Sequence, residues 1–158
     1  MNEQLPAPDQ VRPVDIEMEI PISAPKSEVW DALIHDISLW WPRQAFMTKA
    51  TKFTLEPRVG GRVFEDNGDG TGGLWWNVHA IQTGEYLVLT GQIWPGNGGP
   101  PTSIAKLSLE ERGAETILKI HDSLFGRLTD ERVATVKWGW DHLFARSFKP
   151  YAETRRRG

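Results

Sequence analysis

The sequence predicts an α+β fold: a curved seven-stranded antiparallel sheet wrapped around a long C-terminal helix, with two short helices after the first strand. Three observations predict it. Short runs of alternating apolar and polar residues recur from Val14 to Ser123. Clusters of Gly, Asn and Asp separate most of these runs, as hairpin turns require. Apolar residues at helical spacing occur in two places only, after the first run and after Thr129. Consecutive antiparallel strands must cover one apolar face, and the last helix is the only element long enough to do so.

Residues 1–13 hold three prolines among polar residues and are expected to form a flexible N-terminal tail, leaving 14–149 as the folded domain and 150–158 as a C-terminal tail. Val14–Ile22 alternates strictly, with Val14, Ile16, Met18, Ile20 and Ile22 on one face and acids on the other. Ser23 to Pro25 reads as a helix entrance. The run KSEVWDALIHDISLWW then carries Val29, Trp30, Leu33, Ile34 and Ile37 at helical spacing until Pro42 stops it, as one bent helix or two short ones. Beyond a loop from Pro42 to Thr51, Lys52–Pro57 and Arg62–Asp66 read as strands.

Between those strands lies LEPRVGGRVFED, whose adjacent glycines flanked by arginines fit either a phosphate cradle or a strand corner. A cradle requires a helix N-terminus directly after the glycines. Arg62–Asp66 is strand-like, so a corner is expected at Gly60 and Gly61. DNGDGTGG reads as a turn, followed by strands Leu74–Gln82 and Tyr86–Trp94, a long loop PGNGGPPT, and a last hairpin of Ser103–Glu111 and Glu115–Ser123. Thr129 and Asp130 cap a final helix reaching about Lys149, with Val133, Val136, Trp140, Leu143, Phe144 and Ser147 on one side.

Composition removes several functions. The 158 residues suit one domain, and 18 Lys+Arg against 21 Asp+Glu give a net charge of -3, with no basic excess to meet nucleic acid. With no cysteine, disulfides, thiolate zinc sites and a cysteine nucleophile are excluded. No apolar run is long enough for a membrane span, and the first residues lack a signal-like core, so a cytoplasmic location is expected. His35, His79, His121 and His142 form no HExxH or i,i+4 pair, so no metal site is expected, nor any cofactor. DNGDG lacks the ligand spacing of a calcium loop, no G-x-S-x-G elbow is present, and Arg155, Arg156 and Arg157 read as a solvated end. The conspicuous feature is eight tryptophans, which need a core or a cavity wall to cover them.

Alternation assigns the inward face: Phe53 and Leu55; Val63 and Glu65; Trp76 and Val78; Leu87, Leu89 and Ile93; Ala105, Leu107 and Leu109; Leu118 and Ile120. A buried Glu65 demands a partner. A salt bridge to Arg58 or Arg62, an outward bulge, a ligand anchor and an acid–base role all fit. Trp75 and Trp76 fall on opposite faces, so only one ring is expected to join the core, with Trp75 partly exposed or the two reversed by a bulge. Trp40 and Trp41 are placed at the rim, closing the core.

Four stretches, ISAPKSEVWDALI, WWP at Trp40–Pro42, LEPRVGGRVFE, and Gly139 with Trp140, resemble the family of activator of heat shock protein 90 ATPase homologues within the SRPBCC superfamily, which is START-like and birch-pollen-allergen-like. The resemblance covers Val14 to Phe148 and implies a helix-grip fold with an apolar ligand such as a lipid, sterol or polyketide held between sheet and helix. It makes Trp41, Phe53, Val63, Glu65, Trp76, Val78, Leu89, Ile93, Leu107, Ile120, Val136, Trp140 and Phe144 the candidate ligand-binding residues. Relatives often carry tryptophan where this chain has Gly91, which implies a widened cavity. The 158 residues leave no room for the chaperone-binding domain of the family's namesake, so chaperone activation is not expected to carry over. Two other readings stay open. One is a cyclase- or hydrolase-type enzyme using Glu65; the other is a chaperone-interacting or self-associating module, such as a homodimer, using Trp75, Trp94 or Trp138.

Overall fold

The computed structural model describes residues 11–94 and 101–155; residues 1–10, most of the PGNGGPPT loop and Arg156 to Gly158 lie outside the described residues. Seven strands are formed: β1 Val11–Ile22, β2 Lys52–Leu55, β3 Arg62–Asp66, β4 Gly72–Gln82, β5 Tyr86–Gln92, β6 Thr102–Arg112 and β7 Glu115–Arg127. They make one antiparallel sheet in the order β1-β7-β6-β5-β4-β3-β2. Two short helices, α1 Lys26–His35 and α2 Ile37–Trp40, follow β1. The chain ends in one rod, composed of α3 Asp130–Trp140, a π-helical segment Asp141–Phe148, and α4 Lys149–Thr154.

Both expected domain boundaries are too narrow. Strand β1 starts at Val11, whose partner is Arg127, and the ladder runs unbroken to Ile22 opposite Thr116. Pro13 is tolerated because β1 is an edge strand, where a missing N–H breaks no inner ladder. Arg12 also donates to the Leu128 carbonyl at 3.1 Å and to Asp130 at 2.8 Å. At the other end the rod continues past Pro150 to Thr154. Arg155 then donates to Asp36 at 2.7 Å and to Glu28 at 2.6 Å, and the Tyr151 hydroxyl to Asp36 at 2.8 Å. Residues 150–155 are thus a clasp onto α1 rather than a tail.

At Asp36 the backbone turns to φ -104 and ψ 14, which divides α1 from α2, and Trp41 is already extended ahead of Pro42. The LEPRVGGRVFED stretch makes the expected corner. Gly60 has φ 78, and its amide donates to the Val78 carbonyl at 2.8 Å. Gly61 is buried where a Cβ would lie 2.1 Å from the Glu56 carbonyl oxygen. Arg62 serves Glu56, donating from its backbone N at 2.9 Å and from Nε at 2.8 Å. These bonds hold the Glu56 carboxyl down to about 2.

Two irregularities bend β4. Val63 faces Trp76 whereas Phe64 faces Leu74, so Trp75 is an extra residue; His79 is a second one, between the Val78–Leu89 and Ala80–Val88 pairs. The core lies between the concave face and the rod. Leu143, Phe144, Phe148 and Ala152 are buried in the rod's second half, against Trp40, α1 and the sheet, while α3 buries only Trp140. The rod therefore fills one end of the bowl and stands clear of the other.

Gly61→Ala should destabilise the fold by about 2–4 kcal/mol, since the new methyl meets backbone that cannot swing aside. Gly60→Ala, whose Cβ would meet nothing within 4 Å, should cost only about 1–2 kcal/mol of left-handed strain. Urea denaturation of both variants checks the order.

Candidate functional site

Where α3 stands off the sheet, a cavity of about 640 Å³ opens. Its walls come from four places: the Gln44–Met47 turn, the bulge at Trp75 and Trp76, the ends of β5 to β7 (Ile93, Trp94, Ser103, Asp122, Leu124), and the rod from Arg132 to Leu143. Six aromatic rings face it, those of Phe46, Trp75, Trp76, Trp94, Trp138 and Trp140. Trp76 and Trp140 stack with centroids 5.7 Å apart and planes 20° apart, joining the sheet wall to the helix wall.

Asp122 stands at the floor, 2 % exposed. Oδ2 accepts the Trp140 indole N–H at 2.8 Å and Oδ1 accepts the Ser103 hydroxyl at 2.5 Å. Burial pushes its carboxyl above the usual value of 3.8, and the hydrogen bonds from Ser103 and Trp140 offset only part of that. Sequence reasoning missed Asp122. The signal was present, for Asp122 continues the inward parity of Leu118 and Ile120 on β7, the same argument that singled out Glu65.

Glu65 is inward and fully buried, as expected, yet neither expected arginine partners it. Oε1 accepts from the Thr48 amide at 2.7 Å and the Thr48 hydroxyl at 2.8 Å. Oε2 accepts from the Met47 amide at 2.8 Å and from Trp75 Nε1 at 2.7 Å. Its oxygens are thus taken by a loop and an indole that themselves shape the cavity mouth, and Glu65 is absent from the lining. This geometry gives Glu65 a positioning role and leaves no oxygen aimed at a guest for acid–base work.

Of the expected contacts, Trp76, Ile93, Val136 and Trp140 line the cavity. Trp41, Phe53, Val63, Val78, Leu89, Leu107, Ile120 and Phe144 are buried in the core behind it. They are displaced from the lining because the rod descends onto the sheet beyond Trp140, and side chains fill that end. Trp41 stacks on Phe53 at 3.9 Å and sits edge-on to Trp75 at 5.1 Å. Contrary to expectation, both Trp75 and Trp76 reach the inner side, because the bulge cancels one step of alternation. Nor does Gly91 widen the cavity. A Cβ there would lie 2.5 Å from the Trp75 carbonyl oxygen and 2.6 Å from Trp76 Cδ1, so the ring supplied by the bulge occupies that space.

Ser103, Asp122 and His142 all line the cavity, but they make no nucleophile relay: Ser103 donates to Asp122, and His142 stacks on Trp138 at 4.8 Å. Among the described residues no group of three His, Asp or Glu could hold a metal ion. No described helix is long and apolar enough to cross a membrane.

Trp140→Phe keeps an aromatic ring but removes the donor to Asp122 and part of the buried ring volume, so a loss of about 2–4 kcal/mol is expected in urea denaturation at neutral pH. The folded Asp122 holds its proton to higher pH than the unfolded chain does, so its contribution to stability is full below 3.8 and falls as pH rises through the folded value. Asp122→Asn lacks that loss. Its melting temperature should therefore gain on the wild type's between pH 4 and pH 7; parallel profiles would refute the assignment.

The model of the family Activator of Hsp90 ATPase homolog 1-like protein matches residues 23–153. A search of curated proteins gives no match. Solved structures share the fold. DynU16, from the dynemicin biosynthetic locus, has TM-score 0.66 and 23% identity over 89% of this chain, which spans about half (47%) of that one. The Aha1 dimer from Colwellia psychrerythraea has TM-score 0.66 and 18% identity, over 91% of this chain and 99% of that one. Ara h 8.0201 has TM-score 0.64 and 16% identity, over 89% and 98%. A curved seven-stranded sheet gripping a C-terminal rod and a match spanning most of the sequence agree: the chain belongs to the Activator of Hsp90 ATPase homolog 1-like family.

Proposed function

We propose that this protein binds a small, largely apolar aromatic ligand between the sheet and α3, without transforming it. The cavity carries the reading. Its volume of about 640 Å³ falls within the range of small-molecule sites, and six aromatic rings surround it with a few polar groups among them. Membership of a family whose fold commonly holds apolar ligands supports the same reading. Glu65 fixes the mouth in this picture, and the placement of its donors favours binding over acid–base catalysis.

One observation favours a second reading, self-association. Trp138, at the cavity's edge on α3, is 61% exposed, whereas Trp75 and Trp94 are partly buried. A relative from Colwellia psychrerythraea is described as a dimer. Light scattering of the wild type and Trp138→Gln decides it: a dimer that dissociates in the variant supports this second reading, and a monomeric wild type ends it.

Gly139 offers a sharper test of binding. It lines the cavity on the same helical face as Val136 and Leu143, and a Cβ added there meets nothing within 4 Å. Gly139→Phe should take up part of the space and weaken saturable binding of 1-anilinonaphthalene-8-sulfonate about tenfold or more. Stability should hold or rise by about 0.5 kcal/mol, because glycine is a poor helix former. Undiminished dye binding in that variant, or none in the wild type, would refute the cavity as the site.

A further inference from the structure

Of the cavity's polar lining residues, only Asp122 and Ser103 are buried, and they meet at the floor; Gln44, Gln92, Arg132, Thr135 and His142 lie elsewhere on the walls. Both side chains are more than nine-tenths buried, at 2 % and 7 % exposure, and both line the cavity. A carboxylate offers about four acceptor positions, and Asp122 uses one on each oxygen, for Ser103 and for Trp140. Ser103 spends its only hydroxyl proton on Asp122, which leaves its own oxygen as an acceptor. Trp140 donates its only N–H to the same carboxylate. The floor is thus a set of acceptors whose donors are already committed. The remaining polar lining residues of the rod, such as Arg132, Thr135 and His142, belong to α3 and the start of the π-helical segment, on the wall opposite the sheet.

We propose that the ligand enters with a hydrogen-bond donor leading, a hydroxyl or ammonium group on an aromatic body, and that this donor seats on Asp122 and Ser103. The inference rests on the cavity-binding reading above and adds the orientation and chemical class of the guest. A guest leading with a carbonyl, ether or carboxylate brings acceptors against acceptors, leaving buried groups on both sides unpaired. A guest with a donor satisfies the floor, and its rings meet Trp76 and Trp140 side by side. The upward displacement of the Asp122 carboxyl by burial agrees with a floor that lacks a charged partner of its own.

Matched probes test this. Calorimetric titration compares 2-naphthol, 2-naphthylmethylamine, their donor-free analogue 2-methoxynaphthalene, and 2-naphthoate. 2-Naphthol, 2-naphthylmethylamine or both should bind about tenfold or more tightly than the methyl ether, as one hydrogen bond to a charged group requires. The naphthoate should bind most weakly. Which donor wins separates a hydroxyl from an ammonium guest. In Ser103→Ala and Asp122→Asn the advantage should shrink to about threefold or less, the donor-bearing probe losing affinity and the methyl ether losing none. Ser103→Ala removes a single hydroxyl and keeps the test available if the Asp122 variant fails to fold. If all four probes bind saturably with equal affinity, this inference is overturned and the cavity reading stands. Should none bind, both fall.

Discussion

The position of α3 depends on one indole. Trp140 is held at its edge by Asp122, 2.8 Å away on β7, and across its face by Trp76 on β4. A hydrogen bond to a buried carboxylate is directional and expensive to leave unmade, so it sets the rod's distance from the sheet more strictly than apolar packing does. Beyond Trp140 the rod sinks into the bowl on Leu143, Phe144 and Phe148; before it, α3 has only the partly buried Val133 and Val136 against the core, and the cavity remains. The helix changes to a π-helical turn directly after this residue. A wider turn re-aims the side chains that follow, and such turns recur at functional sites.

Two buried acids on one concave face serve different ends. Glu65 is surrounded by two backbone amides and a hydroxyl of the 42–50 loop and by the indole N–H of Trp75 on β4, so it binds that loop to the sheet. Asp122 has two partners and faces the cavity. The difference is one of saturation. A carboxylate whose lone pairs are filled by its own chain organises structure, whereas one with acceptor positions left over, at the bottom of an aromatic well, is available to a guest.

Much of the architecture was legible in the residues because the relevant signals are local. Alternation located all seven strands, and helical spacing located both helical regions. Strand ends were less legible. Val11 and Pro13 show no alternation signal of their own and become strand only because β7 extends to Arg127 beside them. The final helix is expected to end at about Lys149, yet the rod carries through Pro150, since Arg155 and Tyr151 anchor the far end to Asp36. Of the inward list, all but the partly buried Trp76 and Ile93 are buried, and those two are the ones that line the cavity. Parity says which side of a sheet a residue faces, and nothing about whether the space opposite is filled.

By itself, the sequence determined the α+β class, the order of elements, the corner at Gly60 and Gly61 and the inward parity of Glu65, all properties of neighbours along the chain. Tertiary structure decided the rest. The extra residue at Trp75 brought two adjacent tryptophans to one face, the Asp122–Trp140 bond lifted α3 from the sheet, and the rod's second half filled the bowl only in part. Each of these joins residues far apart in the chain, and a void is a property of the gap between such elements, which no single segment encodes.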